Sequence, residues 1–401
     1  MKFIDKILIY GLVGIFSIGV FYGIVVYQSI NPKENFFQNA YALNDPQTDS
    51  ISFGGLNTGT IDVNPKTNLV YVTNFKNGTV SVLDGNSNDI IDVFKVGQTP
   101  FGLGINQETN MIYVAAENND TLYVVNGSTN QIEDTIEIQA PYDIAVDPHT
   151  NMIYVTSDSS KLVYALDGQT NKIVSTFEVA DPCGVAVNTE TDMVYVTSES
   201  TDMVHVIDGK KNEMVGTIDV SESPRGVVAN PKTNIIYVTN QKSNTISVIN
   251  GSSNSVISSI DVGDNPRRVV VNPESNIIYV TNQGSNDVSV IDGSSNSLID
   301  SIPVNSPFEM AINPDSNKIY VTFYGIGKLT VIQGYEPSKH EIITPSGNFL
   351  GPIKQMKLGI SAKDVTCNAG KELMFKTSDS SAVCVNPETA EKLIARNWGY
   401  R

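Results

Sequence analysis

Six prolines recur every 41 or 42 residues, and the residue after each is of a different kind: Phe101, Tyr142, Cys183, Arg225, Arg267 and Phe308. Gly59 holds the matching place in the first copy, and Arg268 follows Arg267 directly. The three arginines form a local basic group in a chain whose net charge is −17. Arginine offers a planar fork of donors suited to bidentate contacts, and aromatic rings offer flat faces. Brought to one place, they would bind an anionic or sugar-like ligand. The competing expectation is that the arginines pair with Asp181, Glu222, Asp264 or Glu309 and merely hold neighbouring elements together.

Other reactive types are sparse. His149, His205 and His340 are scattered, with no spacing that suits zinc or covalent haem. No glycine-rich phosphate loop or nucleophile elbow occurs, so no catalytic residue and no metal ligand is assigned. Of three cysteines, Cys367 and Cys384 are expected to form a disulfide closing a loop of about 15 residues, contributing roughly 3 kcal/mol. Cys183 is left as a small hydrophobe. Sequons occur at Asn77, Asn119, Asn126 and Asn250; the last two belong to a turn series, which leaves Asn77 and Asn119 as the glycosylation candidates.

The elements that must position these residues come from one repeated unit. Asn230–Val271 holds four short apolar runs with near two-residue alternation, separated by turn signals. An apolar-apolar-Tyr-Val core recurs with its tyrosine at Tyr71, Tyr113, Tyr154, Tyr195, Tyr237, Tyr279 and Tyr320. Seven phenols at one strand position mean packing between units. Asp84-Gly85, Asn126-Gly127, Asp167-Gly168, Asp208-Gly209, Asn250-Gly251 and Asp292-Gly293 are read as tight turns at positive φ between third and fourth strands. Each proline is read as the first residue of a first strand, where its missing donor does no harm. Four strands per 42 residues or so, seven times over, lie in the range of propeller blades. Ile51–Gly55 is expected to complete the last blade beside Leu329–Gln333, unless Glu341–Thr344 takes that place.

These repeats resemble the YVTN-type β-propeller repeats of archaeal and bacterial surface proteins over about three quarters of the chain. The resemblance implies an all-β, seven-bladed β-propeller of four-stranded antiparallel blades, spanning 51–346, around an axial channel. Its relatives include surface proteins and lactonase-type and lyase-type enzymes, which suggest a Ca2+ site in the channel as the one cofactor to consider.

The two ends differ in composition. No charged residue occurs between Lys6 and Lys33, and residues 1–30 read as a transmembrane helix or signal segment with Lys2 and Lys6 on the cytoplasmic side. The alternative is cleavage after Ala42, giving a secreted protein. Residues 31–50 are a polar linker. Residues 352–401 form a small α+β module: a hairpin of Glu372–Thr377 with Ala382–Val385, then a helix opened by Pro387. It resembles a C-terminal module of secreted proteins from ammonia-oxidising archaea. The acidic balance excludes nucleic acid as a partner. The function expected is a single-pass, membrane-tethered extracellular propeller, binding a cell-envelope protein or glycan through the mouth. The alternative is a lactonase- or lyase-type enzyme with a channel metal.

Overall fold

Alternating apolar residues and asparagine-rich turns make each repeat a four-stranded antiparallel sheet. The computed structural model describes residues 48–54, 57–323, 326–335, 372–376, 382–385, 390–391, 393–394 and 399–400. Of the chain's two compact units, 1–43 lies outside these, so the expected membrane segment does too. Among the described residues no helix is long and apolar enough to cross a membrane.

Seven four-stranded sheets form the propeller. Blade 5 shows the pattern: Pro224–Asn230, Ile235–Asn240, Thr245–Asn250 and Ser255–Asp261, from the channel outward. The second strand is buried on both faces, while most of the outer strand is exposed. The seven tyrosines of the second strands are at most 1% exposed. Tyr237 illustrates their use, packing with Val269, Val271, Ile278 and Val280 of blade 6. Core and inter-blade seam are thus the same tissue of Val, Ile and Tyr, as expected where sheets stack face to face.

Closure comes from the chain's own beginning. Thr48–Ser52 pairs antiparallel with Lys328–Gln333, Ile51 opposite Leu329, as the fourth strand of blade 7. The strand starts three residues before the expected Ile51–Gly55 and ends at Ser52, after which Phe53 packs in the core between blades 7 and 1.

Two turn assignments are corrected. The glycine of each Asp/Asn-Gly pair is not at positive φ; that conformation belongs to Asn88, Asn130, Asn171, Asn212, Asn254 and Asn296, farther along the same turns. Glycine is needed for close approach instead: a Cβ on Gly251 would stand 2.2 Å from Asn234 Oδ1. Proline does open the first strand in blades 2, 4, 5, 6 and 7, but in blade 3 the strand is only Ile144–Asp147, and Pro141 precedes it.

In the C-terminal region Glu372–Lys376 pairs with Ala382–Val385 as expected, and Gly399–Tyr400 adds a third strand. Helical backbone is present at 390–391 and 393–394. Cys367 and the Cys384 side chain lie outside the described residues, as does the expected disulfide.

Candidate functional site: the channel mouth

The mouth is positioned by a hydroxyl in the neighbouring blade. The second-strand threonine that follows Tyr-Val donates to the carbonyl of the next blade's mouth residue: Thr197 to Arg225 at 2.7 Å, Thr239 to Arg267 at 3.0 Å, Thr281 to Phe308 at 3.3 Å, Thr322 to Gly59 at 2.9 Å. The same bond joins Thr156 to Cys183 and Thr73 to Phe101. Blade 2 carries Ala115 here, and the strand it faces is the short, irregular first strand of blade 3. Glycine often follows the mouth residue because the next blade's carbonyl leaves no room. A Cβ on Gly184 would stand 2.3 Å from the Arg225 carbonyl oxygen.

Phe101, Tyr142, Cys183, Arg225, Arg267 and Arg268 all line one opening, whose enclosed space of about 20 Å³ holds about one water. Phe101 stacks on Tyr142 with centroids 4.8 Å apart and meets the edge of Phe308 at 6.1 Å. The Arg267 guanidinium lies 3.9 Å over the Phe308 ring. Arg225 donates to the Tyr142 hydroxyl at 2.9 Å and to Glu199 at 3.3 Å.

The charges are matched, though mostly not by the expected carboxylates. Arg267 pairs with Glu309 at 3.4 Å, and Arg268 with Asp143 at 3.2 Å and Glu309 at 3.5 Å. Of the four partners expected from sequence only Glu309 serves; Asp143 and Glu199 take the other places. Arg268 belongs to blade 6 and Asp143 to blade 3, so this side chain crosses the channel. Burial disfavours its charge, but Asp143 and Glu309 outweigh that and hold it protonated. Burial pushes the Cys183 thiol up to about 12, leaving it a poor nucleophile.

Deeper in, Asp62 of blade 1 occupies a first-strand position held elsewhere by Gly104, Ala145, Ala186, Val228, Val270 and Ala311. Burial raises its carboxyl to about 7, against the pull of the Val63 N–H and of Arg268. Sequence reading missed Asp62, Asp143 and Glu199. For Asp62 the signal was available, since it breaks a run of small or apolar residues at one repeat position; Asp143 shares its position with Arg268 and Glu309, where charge is no exception. The described residues hold no group of three His, Cys, Asp or Glu suited to a metal ion. Asn77 and Asn119 are exposed on loops of the mouth face, whereas the side chains of Asn126 and Asn250 are engaged in their own turns.

The comparisons with known proteins agree with this architecture. No curated protein matches the sequence. Among solved structures, Kuenenia stuttgartiensis hydrazine synthase superposes with a TM-score of 0.62 at 17% identity, covering 71% of this chain and 97% of that one. A chain of the mitotic checkpoint complex superposes with a TM-score of 0.65 at 15% identity, covering 79% and 98%. At such identities the likeness shows the fold alone. A family model described as YNCE-like beta-propeller matches residues 57–340, the ring itself, and on that match the chain belongs to the YNCE-like β-propeller family.

Proposed function

We propose that the propeller is a non-enzymatic binding module whose mouth receives a polar, uncharged, sugar-like ligand. The observation that carries this reading is the charge balance: three arginines meet Glu199, Asp143 and Glu309 at 3.2–3.5 Å. A cluster already neutralised by its own carboxylates offers little net attraction to an anion. It still presents guanidinium N–H groups and carboxylate oxygens as fixed hydrogen-bond partners beside the Phe101 and Tyr142 rings. Rigid, pre-paired polar groups beside aromatic faces suit hydroxyl-rich rings.

The finer reading is a YVTN-type surface protein, tethered by residues 1–30 through the linker 31–50, with a cell-envelope glycan or glycoprotein as partner. Thr48 enters blade 7 at the end opposite the mouth, where it pairs with Ile332. The test is a glycan array probed with the full chain in detergent. Binding to neutral glycans that is lost in the Arg225→Ala plus Arg267→Ala variant supports the reading; binding that this variant leaves unchanged refutes it.

A further inference from the structure

On the face opposite the mouth, the seven blades are joined by a ring of side-chain bonds. At six of the seven seams the last residue of the first strand donates its amide to the turn asparagine of the next blade. Asn64 bonds Asn110 at 2.8 Å, Asn106 bonds Asn151 at 2.7 Å, and Asn188 bonds Asn234 at 2.8 Å. Asn230 bonds Asn276 at 2.7 Å, Asn272 bonds Asn317 at 2.8 Å, and Asn313 bonds Asn68 at 2.8 Å, closing the circle. The seventh seam, between blades 3 and 4, has aspartate on both sides: Asp147 and Asp192.

Both aspartates keep the geometry of the residues they replace. Asp192 has φ +58°, matching +55° at Asn234, and its carbonyl accepts the Gly209 N–H at 2.9 Å as that of Asn234 accepts Gly251. Asp147 Oδ1 accepts the turn N–H groups of His149 at 2.9 Å and Thr150 at 3.4 Å, as Asn106 Oδ1 accepts those of Glu108 and Thr109. Its Oδ2 therefore stands where the other copies have an amide donor. Both residues are buried, at 1% and 8% exposure. A carboxylate cannot donate, so two ionised groups here would repel; one proton between them restores the bond.

A third substitution says which group is ionised. In three other blades the turn asparagine donates onward to a serine just after the glycine, as Asn110 does to Ser128, Asn234 to Ser252 and Asn276 to Ser294. In blade 4 that place is Lys210, whose Nζ lies 2.8 Å from Asp192 Oδ2. An acceptor-only Asp192 has thus been given a cation where its neighbours have a hydroxyl.

We propose that the seam between blades 3 and 4 is a proton-operated clasp, in which the neutral Asp147 carboxyl donates to the Asp192 carboxylate, and loss of that proton at higher pH opens the seam. The charged and titratable groups facing it are Lys210 and Asp208 of blade 4, Asp208 being engaged by Lys211, with the Tyr154 hydroxyl and His149 of blade 3. Burial and Asp192 raise the Asp147 carboxyl, against the turn hydrogen bonds that lower it. A folded-state value raised above the unfolded one means stability present at low pH and lost as pH rises through that window.

The test is hydrogen exchange on the full chain from pH 4.5 to 9, following peptides over 188–194 and 205–212, with the Asn188–Asn234 seam as internal reference. In the wild type the opening constant at the Asp147–Asp192 seam rises relative to the reference, by about tenfold per pH unit between the ordinary carboxylate range and the raised value, then levels off. Asp147→Asn restores an amide donor and flattens the profile. Asp192→Asn also removes the loss at high pH, because the new amide donates to the Asp147 carboxylate. A wild-type seam that tracks the reference at every pH, or an Asp147→Asn profile identical to wild type, overturns the proposal.

Discussion

The first strand of each blade begins at the mouth and ends at the asparagine ring, and its two ends follow opposite rules. At the mouth the side chains differ from blade to blade, and contacts jump across the channel, as Arg268 does to Asp143 over 125 residues of sequence. At the other end nearly every blade carries asparagine, and each bond reaches only the next blade, 45 or 46 residues away in five of the seams. The difference teaches how the ring tolerates variety. Neighbour-to-neighbour bonds are satisfied in the same way at six of the seven seams and hold the circle, so the mouth is free to change as long as its buried charges balance as a group.

That comparison can be broken most directly at Arg268. Arg268→Ala strands the buried Asp143 and leaves the buried Glu309 with Arg267 alone, and urea unfolding is expected to show a loss of about 3–5 kcal/mol. A loss no larger than that of a surface substitution would mean that the mouth charges are solvated individually. The next largest effect concerns Asp62. Its folded value near 7 against an ordinary 3.8 means the native state holds a proton the unfolded chain has released. Stability therefore falls as pH rises from about 4 to about 7, by up to a few kcal/mol, and Asp62→Asn removes that part of the slope in thermal melts. At the opposite face, Asn230→Ala breaks one link and leaves the Asn276 oxygen without its donor, costing about 1–2 kcal/mol whatever the pH. The smallest effects separate two tyrosines that look identical in sequence. The Tyr279 hydroxyl accepts the Tyr335 N–H at 2.6 Å, so Tyr279→Phe costs about 1 kcal/mol. Among the described residues the Tyr113 hydroxyl is buried without a partner, so Tyr113→Phe is neutral or slightly stabilising in the same denaturation series.

Much of this was legible in the chain because a repeat prints its register seven times. The tyrosines, the four strands per copy, the closing role of the residues near Ile51 and the gathering of Phe101, Tyr142, Arg225, Arg267 and Arg268 follow from period and alternation. What escaped was of two kinds. Cross-channel partners such as Asp143 depend on which blades face each other, which local pattern does not contain; neighbours in sequence such as Glu222 and Asp264 were the natural but wrong partners. The glycine of each Asp/Asn-Gly pair was misread for a different reason. A demand for space and a demand for positive φ select the same residue, and only the neighbouring Asn234 or Asn68 oxygen tells them apart. The asparagine ring itself was written in nearly every repeat, but an asparagine beside a turn is so readily explained by the turn that its second bond went unnoticed.

The strand Thr48–Ser52 has a consequence in time. It is the first piece of the ring to be synthesised and its partner, Lys328–Gln333, is the last. Until that partner emerges, blade 7 lacks its outer edge and blade 1 has no neighbour to bury Phe53 against. The earliest strand must therefore wait, unpaired, through the making of six blades. A chain that stalls before residue 333 leaves an unlatched arc with raw edges at both ends, a ready substrate for quality control rather than a smaller working ring.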